Sequence, residues 1–179
     1  MGARKYAGDY RLENVPGKGG KLRTVPVYRG AYFRFSSPPD RLRRAKRNCV
    51  IFLCAASAGL LVPMLLTGDL LRRWYVVLPL VLALVPAFGL WRSACLLLRA
   101  GERIIREHKE QMQERMAARS IALLILAALS LAGQIGAFLT GSGWEGWPVA
   151  PCTVLIILSS IFLFAGKKDL LLEPIPEGE

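Results

Sequence analysis

Few residues of this 179-residue sequence are of types that catalyse reactions or bind metal ions, and their spacing matches no such pattern. The single histidine, His108, has no second histidine at the i+4 spacing of a zinc site. The segment 17–21 (GKGGK) lacks the first glycine and the hydroxyl residue of a phosphate-binding loop. The cysteines form no C-x-x-C pair; they are Cys49, Cys54, Cys95 and Cys152. We therefore expect no catalytic residue, no cofactor and no bound metal, in a protein that is not an enzyme.

Five basic residues lie immediately before the first long apolar run. They are Arg41, Arg43, Arg44, Lys46 and Arg47. Basic residues beside a membrane-spanning segment attract anionic lipid headgroups by about 1 kcal/mol each. The mixture of aromatic and basic residues over 28–35 (YRGAYFRF) is also compatible with stacking on single-stranded nucleic acid. Because a tethered patch already lies beside headgroups, we expect contact with anionic phospholipid and no nucleic-acid partner.

Small residues recur every four positions in two of the apolar runs. Ala128, Ala132 and Gly136 do so in the third run, and Ala55 and Gly59 do so in the first. Small residues at this spacing let two helix backbones approach closely within a membrane. The pattern predicts close packing of the first helix on the third, with self-association of the protein as the alternative.

Uncharged polar residues at membrane depth include Gln134, Ser159 and Ser160. Coupled transporters usually place an ionisable side chain inside the membrane, because a proton or cation site there must change charge. The runs 48–66, 121–140 and 149–165 contain no Asp, Glu, Lys, Arg or His. The three polar residues therefore predict interhelical hydrogen bonds more strongly than a pore lining, which is kept as the alternative.

The apolar residues are concentrated in four runs, each close to the length of a membrane-spanning helix. They make up 53% of the sequence, although the formal net charge is +11. About 17–25 helical residues cross a bilayer, and in lipid only a helix or a closed barrel satisfies every backbone hydrogen bond. We predict an all-α integral membrane protein with four transmembrane helices in two helical hairpins. The predicted spans are residues 48–66, 74–98, 120–140 and 149–165.

The basic residues are distributed unevenly among the segments between the runs. Residues 1–47 hold 13 of the 24 Lys and Arg residues, residues 91–119 hold 7, and the tail from residue 167 holds 2. Lys and Arg accumulate on the cytoplasmic side of membrane proteins. The distribution therefore predicts a multi-pass protein of the plasma (inner) membrane with both termini in the cytoplasm.

The segment before the first span, residues 1–47, is predicted to be a small basic cytoplasmic module. The turn-forming residues 16–20 (PGKGG) separate two strand-like stretches, which predicts a β-hairpin over residues 10–35. Residues 40–47 are predicted to begin the first helix on the cytoplasmic side, with either Asp40 or Ser37, which precedes Pro38, as its N-cap.

The transmembrane domain is predicted to cover residues 48–166, with one helical extension and a tail. Opposite charges recur at the i,i+4 spacing in residues 99–119, which predicts that this connection is a cytoplasmic extension of the helices. The tail 167–179 is acidic and interrupted by prolines, which predicts disorder.

These features favour a function in binding over a function in catalysis. We expect an accessory, scaffold or regulatory subunit that binds a protein partner, or a second copy of itself, and anionic lipid at the cytoplasmic face. The alternative is a small-solute transporter or channel subunit that acts as an oligomer. A transporter requires a polar cavity around Gln134, Ser159 and Ser160, whereas a scaffold requires none.

Overall fold

The computed structural model of the chain describes residues 8–16, 22–66, 74–101, 104–139 and 149–175. Four helices dominate it: α1 (Pro39–Leu66), α2 (Trp74–Arg99), α3 (Arg106–Leu139) and α4 (Val149–Ala165). Each is long and apolar enough to cross a membrane, α4 when counted with the 3₁₀ turn that follows it. The prediction of four helices of membrane-spanning length and composition is confirmed.

The helices bury small side chains together with leucines at their contacts, and they expose other large apolar side chains on their outer faces. Ala56, Ala83 and Ala127 are fully buried, and small residues allow helix backbones to approach closely. Leu65 and Leu139 are almost fully exposed, as suits side chains that face lipid.

The helix contacts correct one prediction. α2 packs extensively on α3, α3 packs on α4, and α4 packs on α1, with a smaller contact between α1 and α2. The predicted packing of the first helix on the third is therefore wrong, because α4 is the neighbour of α1. The small residues of α1 do lie at this contact: a Cβ atom at Gly59 would lie 2.8 Å from Cγ1 of Ile156 and 2.9 Å from the carbonyl oxygen of Cys152 on α4.

Two strands near the N-terminus form a hairpin over residues 10–28, shorter than the predicted hairpin over 10–35. β1 (Tyr10–Pro16) pairs antiparallel with β2 (Leu22–Tyr28), and the pairs run from Tyr10 opposite Tyr28 to Pro16 opposite Leu22. Of the predicted turn over 16–20, Pro16 is the last residue of β1, and residues 17–20 lie outside the described residues. A third strand, β3 (Tyr32–Phe35), follows and leads into α1.

A three-stranded sheet forms at the end of the bundle where α1 begins, α2 ends, α3 begins and α4 ends; we call this end the basic end. β3 lies at its centre, between β4 (Ile104–Ile105) and β5 (Leu172–Pro174). Both pairings are antiparallel: Phe33 lies opposite Ile104 on one side and opposite Pro174 on the other. The sheet joins three segments that are distant in the sequence.

This sheet corrects two further predictions. The tail was predicted to be disordered, but a 3₁₀ helix (Gly166–Leu170) and β5 follow α4 directly, and residues 176–179 lie outside the described residues. The helical extension over 99–119 is also interrupted, because α2 ends at Arg99 and β4 precedes the start of α3 at Arg106.

Candidate functional site

Most of the five predicted lipid-binding residues lie on the surface at the start of α1. Arg41, Arg43, Arg44 and Arg47 are exposed, and we call these four the basic surface. Lys46 is half-buried instead. Its Nζ lies 3.4 Å from the carbonyl oxygen of Ala100 and 5.3 Å from the centre of the Phe35 ring. Lys46 therefore links α1 to β3 and to the end of α2, and the basic surface consists of the other four residues.

The strands β3, β4 and β5, together with the 3₁₀ helix, form a small cap whose apolar side chains face the helices. Phe33, Ile104, Leu170 and Leu172 are buried and belong to the same core as the helices. Lys109 of α3 lies with its Nζ 4.0 Å from the centre of the Phe33 ring, a cation–π contact. The cap is therefore packed against the bundle by apolar burial as well as by strand pairing.

Hydrogen bonds fasten the C-terminal segment to this cap. The Ser36 amide donates to the Leu171 carbonyl oxygen at 3.0 Å, and the Ile175 amide donates to that of Tyr32 at 2.9 Å. The Ser37 hydroxyl donates to the Asp169 carbonyl oxygen at 2.7 Å. These bonds hold the last described residues beside the start of α1.

The β1–β2 hairpin is joined to the cap through Tyr28. Its hydroxyl donates to the Ala31 carbonyl oxygen at 3.1 Å and accepts a hydrogen bond from the Arg106 amide at 3.2 Å. Burial is the main reason that the pKa of Tyr28 is raised. The Tyr28 ring also contacts the rings of Tyr10 and Tyr32 edge-on. The hairpin leaves the apolar side chain of Leu12 72% exposed.

A cavity of about 240 Å³ lies at the basic end between α1, α4 and the 3₁₀ helix. Phe52 and Phe162 stack beside it with ring centres 4.6 Å apart. Asn48, Cys49 and Asp169 provide its polar lining. Because the greater part of the lining is apolar, the cavity suits an apolar group rather than a charged solute.

The polar residues predicted at membrane depth do not come together. Ser159 and Ser160 are buried in the last seven residues of α4, toward the basic end, and the Ser160 hydroxyl donates within its own helix to Ile156. Gln134 lies toward the opposite end of the bundle, where its amide donates to the Ser130 hydroxyl at 3.3 Å and Ser130 donates to the Val76 carbonyl oxygen at 3.2 Å. None of the three predicted residues lines the cavity of about 240 Å³.

The predicted packing residues on α3 face outward. Ala128, Ala132 and Gly136 are exposed, and a Cβ atom at Gly136 would have no neighbour within 4 Å among the described residues. On α1, Ala55 is half-buried and Gly59 is buried. The α3 residues thus do not mediate packing within the monomer, and self-association through them stays a prediction.

A polar contact between α2 and α3 was missed from the sequence. Arg119 of α3 donates from Nη1 to the carbonyl oxygen of Gly89 at 2.6 Å and to the Ser93 hydroxyl oxygen at 2.8 Å. The Ser93 hydroxyl lies 3.1 Å from the Gln111 carbonyl oxygen, a second link to α3. The signal in the sequence was the position of Arg119, directly before an uncharged run.

Within the described part of the chain, no three His, Cys, Asp or Glu residues are grouped so that they could hold a metal ion. The four cysteines are free thiols. No protein-family model matches the sequence, and comparison with curated proteins and with solved structures gives no significant match.

Proposed function

We propose that the protein is a non-enzymatic membrane scaffold or regulatory subunit whose basic end faces the cytoplasm, where it binds a protein partner and anionic lipid. The observation that carries the proposal is the cap. β3, β4 and β5 bring the N-terminal segment, the α2–α3 connection and the C-terminal segment to the same end of the bundle. Such a cap supports binding, because it fixes surface groups in position beside the membrane.

The distribution of charge supports the proposed orientation. The basic surface lies where α1 leaves the cap, and the basic end also carries Lys109, Lys167 and Lys168. Cytoplasmic segments near spans are enriched in Lys and Arg. Reporter groups placed one at a time along the chain test the orientation. Reporters at positions 20, 110 and 175 should be accessible from the cytoplasm, and a reporter at position 144 should be accessible from the opposite side. A reporter at position 110 on the opposite side would contradict the proposal.

The β1–β2 hairpin supports the proposed protein partner. A two-stranded hairpin is marginally stable alone in water, and this one leaves Leu12 72% exposed. Tyr10, on the same face of β1, is 38% exposed, and neighbouring exposed apolar side chains are typical of a protein-binding surface.

Photo-crosslinking in native membranes tests this partner. A benzoylphenylalanine at Leu12 should crosslink to a protein of the same membrane or to a second copy of the chain. The matched control is Leu171, another exposed leucine at the basic end. Equal crosslinking from both positions, or no crosslinking from Leu12, would contradict the proposed binding of a protein partner at the hairpin.

The alternative is a small-solute transporter or channel subunit that acts as an oligomer, and one observation favours it. Oε1 of Gln134 is buried without a hydrogen-bond donor among the described residues. A buried polar atom of this kind is satisfied by water or a solute in a polar pathway. Solute flux into liposomes that contain the purified protein tests this alternative. Flux that Gln134→Leu abolishes would establish it. Flux that the substitution leaves unchanged would exclude Gln134 from the lining of the solute pathway.

A further inference from the structure

Three arginines lie close together where α2 and α3 pack at the basic end. Arg119 is bonded to Gly89 and Ser93 of α2, and Arg92 is the residue next to Ser93. Arg115 precedes Arg119 by about one helical turn on α3. Arg92 and Arg115 are exposed, and both are close enough to repel the Arg119 guanidinium. We call these three residues the arginine cluster.

The described part of the protein does not neutralise the arginine cluster. Among the described residues, no carboxylate lies within ion-pairing distance of any of the three guanidinium groups, and the acceptors of Arg119 are a carbonyl and a hydroxyl. Like charges held together at a membrane surface destabilise the fold unless an anion compensates them. The cluster therefore has the charge of an anion-binding site.

The depth of the cluster matches the boundary between hydrocarbon and headgroups. Gly89 lies 15 residues after Trp74, the first residue of α2. If Trp74 marks the opposite boundary, as the preference of tryptophan for interfaces indicates, fifteen helical residues span about 22 Å of a hydrocarbon core of about 30 Å, which leaves about 8 Å to the boundary at the basic end. Long arginine side chains reach such a boundary from inside the hydrocarbon. Arg92 is three residues nearer to it.

Exposed apolar side chains lie on the same helix, deeper in the membrane than the cluster. Val85 is 73% exposed and Phe88 is 77% exposed, and they precede Arg92 by two turns and one turn. The order along α2 is thus apolar side chains at hydrocarbon depth and then a cation at headgroup depth. An anionic lipid has the complementary order of acyl chain and phosphate.

We propose that the arginine cluster binds the phosphate of an anionic phospholipid, whose acyl chain lies along Val85 and Phe88. A guanidinium binds phosphate oxygens through two parallel N–H donors. Nη1 of Arg119 donates to Gly89 and Ser93, so its Nη2 and Nε donors remain for a phosphate. Arg92 and Arg115 provide two further guanidinium groups. The site shares no residue with the basic surface of α1, but it rests on the proposed function in placing the basic end beside anionic lipid.

Native mass spectrometry of the full-length protein in mild detergent tests the site. The probes are phosphatidylglycerol and phosphatidylcholine with identical acyl chains. We expect the protein to retain about one phosphatidylglycerol with at least about tenfold higher affinity than phosphatidylcholine. Arg92→Gln combined with Arg115→Gln should weaken phosphatidylglycerol binding about thirtyfold, a factor of about five per arginine. Arg119 is left intact because it links the two helices.

The matched control is Arg99→Gln combined with Arg106→Gln, which removes the same charge from exposed arginines that belong neither to the arginine cluster nor to the basic surface. It should change phosphatidylglycerol affinity less than about twofold. Equal weakening by the two double variants would overturn the proposal, because binding would then follow overall charge. Equal affinity for the two lipids would also overturn it.

A third arm separates a lipid headgroup from free phosphate. Inorganic phosphate should not displace phosphatidylglycerol at equal concentration, because it lacks the acyl chain that contacts Val85 and Phe88. Displacement at equal concentration would assign the cluster to free phosphate and overturn the lipid proposal. Arg92→Lys combined with Arg115→Lys keeps the charge and loses the paired donors, so its affinity should lie between those of the wild type and the glutamine variant.

Discussion

The guanidinium group of Arg119 occupies the space that a side chain at Gly89 would fill. A Cβ atom at Gly89 would lie 2.5 Å from Nε, 2.8 Å from Cδ and 2.9 Å from Cζ of Arg119. The same guanidinium donates to the Gly89 carbonyl oxygen at 2.6 Å. The absence of a side chain on α2 therefore allows α3 to hold a cation against the α2 backbone.

Substitution of Gly89 tests this relationship. Gly89→Ala should lower the free energy of unfolding by about 1–3 kcal/mol, because Arg119 must move and lose its hydrogen bonds to α2. Unfolding of the purified protein in detergent measures the loss. The control is Gly136→Ala, where a Cβ atom meets nothing within 4 Å, and its effect should stay within about 0.5 kcal/mol.

A double substitution shows whether the effect at Gly89 passes through Arg119. Arg119→Ala removes the atoms that the new Cβ would meet. Gly89→Ala combined with Arg119→Ala should therefore destabilise the protein by less than the sum of the two single substitutions. Strictly additive losses would show that Gly89 is required for some other reason.

The sequence was sufficient to predict the helices and the hairpin because their signals are local. The uncharged runs set the number of helices, and the segment 16–20 between two strand-like stretches identified the β1–β2 pair. The choice of helix partners was not predictable from the same signals. A stripe such as Ala55 and Gly59 marks a face that allows close approach, but it does not specify which helix approaches it.

The cap could not be predicted because its pairings are non-local. β3 and β5 are separated by four helices, and each strand is only a few residues long. The prolines and charges after Leu172 are typical of a disordered tail. The buried Leu170 and Leu172 become informative only once β3 is known to lie beside them.

The contact between α1 and α4 predicts opposite outcomes at two glycines. Gly59→Leu places its side chain against the Cys152 backbone and Ile156, so it should destabilise the protein by about 1–3 kcal/mol or more. Gly136→Leu should leave the unfolding midpoint nearly unchanged. If the outward face of α3 mediates self-association, Gly136→Leu should instead lower the dimer fraction in sedimentation experiments. A large loss of stability in Gly136→Leu alone would contradict the helix arrangement.

Two neighbouring leucines test whether the C-terminal segment holds the cap together. Leu172 is 7% exposed and Leu171 is 49% exposed. Leu172→Ser should lower the free energy of unfolding by about 1.5–3 kcal/mol, because the buried apolar side chain is lost, and should release β5 from β3. Hydrogen exchange should then speed up at residues 32–36, and proteases should cleave the chain after α4. Leu171→Ser should change neither measurement, and equal effects of the two substitutions would show that β5 does not depend on its buried face.

The hydroxyl of Tyr28 predicts a stability difference that depends on pH. Tyr28→Phe keeps the ring contacts with Tyr10 and Tyr32 but removes the bonds to Ala31 and Arg106. Below about pH 10, Tyr28→Phe should lower the free energy of unfolding by about 0.5–1.5 kcal/mol. Because burial raises the pKa of Tyr28 above its ordinary value of 10.0, the folded protein keeps this proton after the unfolded chain has lost it. The Tyr28 hydroxyl therefore contributes its full stabilisation at a pH below its ordinary pKa. This stabilisation is lost as the pH rises through the raised pKa of the folded protein.

Melting of the wild type and of Tyr28→Phe over a pH series measures this contribution. The wild type should melt at a higher temperature at about pH 8, and its advantage should shrink as the pH rises beyond about 10. The control is Tyr10→Phe, since the Tyr10 ring contacts Tyr28 in the same hairpin and its substitution leaves the Tyr28 hydroxyl in place. Tyr10→Phe should keep most of the pH dependence of the wild type, because Tyr10 raises the pKa of Tyr28 less than burial does. If the difference in melting temperature between the wild type and Tyr28→Phe grew above about pH 10, the fold would stabilise the ionised hydroxyl. Burial predicts the opposite, because it favours the neutral hydroxyl.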